Sequence, residues 1–119
     1  MPATVGERIL VHLSAFERYA NEIDGPEEVT QGGIGEALGL SRAHVALEVR
    51  RLITAGRLIQ RLVHVRGSRH RRKAYFLTGV GDARVAALRD GVRRRRFTMI
   101  FPDGHRRDLD GPDASALLL

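Results

Sequence analysis

Cationic side chains crowd one short stretch of the chain. "VHVRGSRHRRKAYFLT", from Val63 to Thr78, places Arg66, Arg69, His70, Arg71, Arg72 and Lys73 between two apolar pieces. A guanidinium group donates from a planar fork that matches phosphate and carboxylate oxygens. Packed this closely, such groups repel one another unless water or an anion lies among them. The stretch is therefore either a solvated hairpin tip or a surface for something acidic. Catalytic chemistry finds no comparable set of residues. Cysteine is absent, which excludes disulfides, thiolate zinc sites and cysteine nucleophiles. The histidines (His12, His44, His64, His70 and His105) show no paired ligand spacing. "GGIGEALG" contains Gly-x-Gly but lacks the spacing and preceding strand of a dinucleotide fingerprint. Lys73 follows arginines rather than a phosphate-binding glycine loop. "DLDGPD", Asp108 to Asp113, lacks the ligand spacing and closing glutamate of a calcium loop. No enzyme activity, metal or cofactor is expected.

Composition agrees with an acidic partner. The formal net charge is +6, which suits a polyanion. Lys73 is the single lysine among 20 basic residues, so genomic base composition could set the arginine count, and placement must decide. At 119 residues the chain suits one domain with a real core. No apolar stretch reaches transmembrane length, and "MPATVGERIL" lacks the features of a signal peptide. A soluble, cytoplasmic protein without membrane contact is expected.

Several elements are needed to position the cluster. Ile9, Leu13, Phe16, Ala20 and Ile23 recur at steps of three and four, predicting a helix from Thr4 to about Ile23. Thr4 and Glu7 have capping-box spacing. After the "DGPEE" turn, Thr30 can cap a short helix bearing Ile34, Ala37 and Leu38 that Gly39 ends in a left-handed conformation. Gly32 and Gly33 favour fraying at its start. Ser41 can cap a second helix whose buried stripe is Val45, Val49, Leu52 and Ile53 and which Gly56 ends. Two short helices joined by a turn containing glycine form a helix-turn-helix.

From Leu58 to Val65, and again from Ala74 to Leu77, β-rich residues flank "RGSRHRRK" as a hairpin. Their alternation is imperfect, with Ile59, Val63 and Val65 on one parity and Leu58 and Leu62 on the other. Thr78 can cap a last helix through Val85 and Leu88 that stops near Gly91. Beyond Arg93–Arg96, "FTMIF" and "RRDL" around "PDGH" predict a small second hairpin. Arg93–Arg96 suits either a phosphate contact or a helix end that complements the helix dipole. The expected class is mainly α with a small antiparallel β wing (α+β). It divides into residues 1–91 and a tail, 92–119, that serves dimerisation or joins a longer chain.

"GIGEALGLSRAHVALEVRRLITAGRLIQR", followed by "VRGSRHRRKAYFLTGVG", resembles the winged helix-turn-helix DNA-binding domains of prokaryotes, especially archaeal ones of the broad MarR-like kind. The resemblance covers roughly Thr4 to Leu88. Its closing motif falls on Tyr75, Leu77, Thr78 and Gly81. It implies a transcriptional regulator that binds double-stranded DNA as a homodimer, with an unknown effector. It places Ser41, Arg42, Ala43, His44, Ala46, Leu47 and Arg50 on the groove-facing side of a recognition helix over about 41–55. It lays Arg66, Arg69, His70, Arg71, Arg72 and Lys73 of the wing along the DNA backbone or in the minor groove. Apolar Ala46 and Leu47 depart from the usual polar pattern, and Glu48 adds a negative charge beside them. The alternative is a winged-helix module that binds protein through the Leu47 face, within a larger protein.

Overall fold

The computed structural model describes residues 3–98, with side chains as far as residue 91. Helix α1 (Val5–Ser14) begins with the expected box: the Thr4 hydroxyl accepts from the Glu7 amide and the Glu7 carboxylate accepts from the Thr4 amide. Two 3₁₀ turns (Glu17–Tyr19 and Glu27–Val29) lead to α2 (Gln31–Leu38) and α3 (Arg42–Thr54). Strands β1 (Leu58–Val63) and β2 (Arg72–Leu77) pair antiparallel, with Leu58 opposite Leu77 and Val63 opposite Arg72. Helix α4 (Gly79–Thr98) closes the described part. This is the winged helix-turn-helix order.

One core joins the helices to the hairpin. Ile9, Leu10 and Leu13 of α1 meet Ile34 of α2, Val45 and Val49 of α3, and Ala74 and Phe76 of β2. The chain from Ile23 to Thr30 protects both edges of the hairpin. The Gly25 amide donates to the His64 carbonyl and the His64 amide to the Ile23 carbonyl. Thr30 forms a bridge with Ala74 on the opposite edge.

Several expectations are corrected. The first helix ends at Ser14, not near Ile23, and Ile23 is 74% exposed. Phe16, Tyr19 and Ala20 still pack against the core, because the 3₁₀ turn that carries the chain forward keeps a spacing near three. Ile53 is exposed rather than part of the buried stripe of α3. Neither parity of β1 is uniformly buried: Leu58 and Val63 are, whereas Ile59 and Leu62 are exposed. Arg72 and Lys73 belong to β2 rather than to the tip.

Gly33 does not loosen the start of α2. Thr30 caps the helix through the Gly33 amide, and a Cβ on Gly33 would fall on the Glu27 carbonyl oxygen. Glycine is required there for close approach. Helix α4 passes Gly91, where it was expected to stop, so the expected boundary at 91/92 falls within a helix and Phe97 and Thr98 are helical. The remainder of the predicted second hairpin lies outside the described residues.

Candidate nucleic-acid interface

Ser41 caps α3 as expected, its hydroxyl accepting from the His44 amide at 3.1 Å. Burial of Val45, Val49 and Leu52 fixes the rotation of the helix. Ala43, Leu47 and Arg50 are left exposed and Ala46 half-buried, one or two turns apart on the outward face. Arg42 and His44 are exposed at the N-terminal turn. The Gln31 side chain donates to the Arg42 carbonyl at 2.9 Å, fastening the start of α3 to α2. Glu48 does not share the outward face. It bonds Arg51 at 3.0 Å and lies beside Gly6 of α1, and the same carboxylate oxygen stands 3.9 Å from the His44 ring.

In the wing, Arg66, Arg69, His70 and Arg71 occupy the exposed tip. Gly67 turns the chain there with φ of 85°, a left-handed conformation that suits glycine. The Ser68 amide donates to the Val65 carbonyl and its hydroxyl to the His70 carbonyl, holding the tip together. Lys73 projects from β2 and is exposed. Arg72 behaves differently, pairing with Glu27 and reaching the Thr30 hydroxyl at 3.4 Å.

The structure brings α3 and the wing strands together at a notch. A cavity of about 200 Å³ is lined by Gln31, Ala46 and Arg50, and by Gln60, Lys73 and Tyr75 of the hairpin. The side chains of Gln31, Gln60 and Tyr75 were not anticipated from the sequence. Gln60 shares a sheet face with Tyr75 because the two are register partners, and only that pairing brings them to α3. Burial pushes the Tyr75 phenol above its ordinary pKa. A second cleft, of about 490 Å³, opens on the other flank of α3 beside Glu7, Glu48, Arg51 and Arg57. Two of its acids are already paired, Glu7 with Arg84 and Glu48 with Arg51.

The remaining arginines sort by their partners. Arg8 donates to the last carbonyl of α2, and Arg84 pairs with Glu7. Arg61 donates to the Glu22 and Tyr19 carbonyls and lies 4.8 Å over the Phe76 ring. By contrast, the side chains of Arg42, Arg50, Arg66, Arg69, Arg71 and Lys73 make no hydrogen bond or ion pair among the described residues. Among those residues no group of three potential ligands could hold a metal ion, and no helix is long and apolar enough to cross a membrane.

Fold and surface together define a winged helix-turn-helix domain with a cationic face that is unpaired among the described residues. Among solved structures, this chain is similar to S. aureus MepR in its complex with DNA, with 19% sequence identity and a TM-score of 0.54. The match covers 83% of this chain and 65% of the other, so the chain spans just under two thirds of MepR's length in that structure. At this identity the likeness is one of fold. No family model and no curated protein matches the chain.

Proposed function

We propose that this protein is a MarR-like transcriptional regulator that binds double-stranded DNA as a homodimer. Helix α3 enters the major groove while the wing tip follows the backbone or the adjacent minor groove. The notch between α3 and the hairpin carries this reading. A helix in one groove and a wing in the next are separated by one sugar–phosphate strand, and the notch offers that strand Arg50, Lys73, Gln31 and Gln60. Arginine, lysine and glutamine side chains all serve as phosphate donors. Likeness to a protein solved on DNA supports the same reading. The alternative, a protein-binding module, draws on Leu47, which is 46% exposed on α3.

Fluorescence anisotropy on duplexes of roughly two helical turns tests the proposal with the full chain. Binding is expected at physiological salt, in the range of about 10⁻⁴ to 10⁻⁶ M on arbitrary sequence, weakening steeply as salt rises. Saturation at two chains per duplex site is expected for a dimer. Absence of duplex binding refutes the DNA reading and leaves the protein-binding module.

A further inference from the structure

We infer that the centre of α3 reads thymine. On the DNA-binding reading, on which this rests, Ala43, Ala46 and Leu47 form an apolar contact surface for thymine methyl groups. With Arg50 they occupy steps of three, four and seven along the helix, so they follow one another along the outward stripe. Between Arg42 and His44 at the helix start and Arg50 beyond, this stripe carries no side chain able to hydrogen-bond. Glu48, whose carboxylate could accept from a cytosine amine, is engaged within the protein, bonded to Arg51 at 3.0 Å and 3.9 Å from the His44 ring.

That combination has a chemical consequence. Every base pair presents polar edges in the major groove, and a helix lying there displaces water from them. Methyl and isobutyl side chains cannot replace those hydrogen bonds, so covering a G·C edge leaves polar groups unsatisfied. A thymine methyl is the one major-groove feature that gains from apolar contact. Leu47, still 46% exposed in the free protein, has apolar surface left to bury there. Arg42 and Arg50, which flank the stripe, are cationic, as a nucleic-acid site requires.

The test starts with the full chain and a pool of random duplexes. The enriched duplex is then prepared with deoxyuridine replacing thymidine at one position at a time, which deletes only the methyl. Deoxyuridine under α3 should weaken binding roughly fourfold per methyl, the factor for one buried methyl-sized group. Leu47→Ala should weaken the thymidine duplex by a similar factor and the deoxyuridine duplex no further, the coupling expected of groups in contact. A thermal melt verifies that the variant is folded, and the deoxyuridine series uses the unaltered protein. Three results overturn the inference: no enriched sequence, indifference to deoxyuridine at every position, or equal loss from Leu47→Ala on both duplexes. If random duplexes still bind with salt dependence in those cases, the DNA reading stands without it. Failure to bind any duplex refutes both and makes Leu47 a protein-docking residue.

Discussion

The Arg72 guanidinium lies against Glu27 and Thr30, whereas that of Arg71, one residue earlier, is exposed without a partner among the described residues. Strand geometry explains the contrast. Arg72 enters β2 opposite Val63, on the sheet face shared with buried Ala74 and Phe76, and is turned inward. In the sequence, "RHRRK" reads as a uniform charge run, because the register that separates its members depends on Leu58 through Val63. The two arginines should therefore fail differently. Arg71→Ala should flatten the slope of log affinity against log salt by about 0.9 if Arg71 touches a phosphate, with the melting temperature unchanged. Arg72→Ala removes a partly exposed ion pair, worth at most about 1 kcal/mol. It should lower the melting temperature by a few degrees, on the order of 5 °C, with a smaller effect on the salt slope. Equal slope changes for the two variants would place both on DNA and discount the Glu27 pair.

At the scale of elements, the capping residues were legible because a cap is a local event. Thr4, Thr30, Ser41 and Thr78 each accept from the amide three residues on. Gly39 and Gly56 stop their helices with φ of 70° and 74°. The helix-turn-helix and hairpin follow from such signals together with apolar periodicity. What spacing could not reveal was where the backbone changes helix type, as after Ser14, or where two segments touch. Gly32 and Gly33 look equally poor in a helix, yet only Gly33 meets backbone. Gly33→Ala should cost about 1–3 kcal/mol through overpacking, lowering the melting temperature by roughly 10 °C. In Gly32→Ala the new methyl meets the movable end of Arg42 at 3.3 Å, and stability should hold or rise slightly through better helix propensity. Thermal melts of the pair decide it. Similar losses in both would discount the Glu27 carbonyl as the particular source of the cost.

At the scale of the whole described molecule, charged side chains divide between a paired set and a set without partners, and the joins from α4 to α1 and the 3₁₀ turn after it make stability depend on pH. Arg84 of α4 bonds Glu7 at 2.8 Å, Arg89 bonds Ser14 at 3.1 Å, and the Asp82 carboxyl faces that of Glu17 in the 3₁₀ turn after α1. The two glutamates are shifted in opposite directions. The Thr4 amide, chiefly, together with the Thr4 hydroxyl and Arg84, holds the Glu7 carboxyl below its ordinary 4.5 despite some burial. Its contribution is therefore present above pH 4.5 and lost as pH falls through the lower folded value. Hydrogen bonding to Asp82, then burial and the Asp82 charge, push Glu17 above 4.5 against the opposing pull of Arg89. Its contribution is present below 4.5 and lost as pH rises through the raised folded value. Glu7→Gln keeps an acceptor for the Thr4 amide, since glutamine also completes a capping box, and removes the charge together with the oxygen that accepts from Arg84. It should melt below the parent at neutral pH, the gap closing once pH drops beneath the Glu7 folded value. Glu17→Gln removes one of two facing carboxylates and should melt at or above the parent at neutral pH, losing that advantage as pH falls towards 4.5. Thermal melts of parent and variants across this range read both signs, and taking differences cancels the carboxylates they share. A Glu7→Gln gap that stays constant with pH would show that the side chain acts through shape rather than charge.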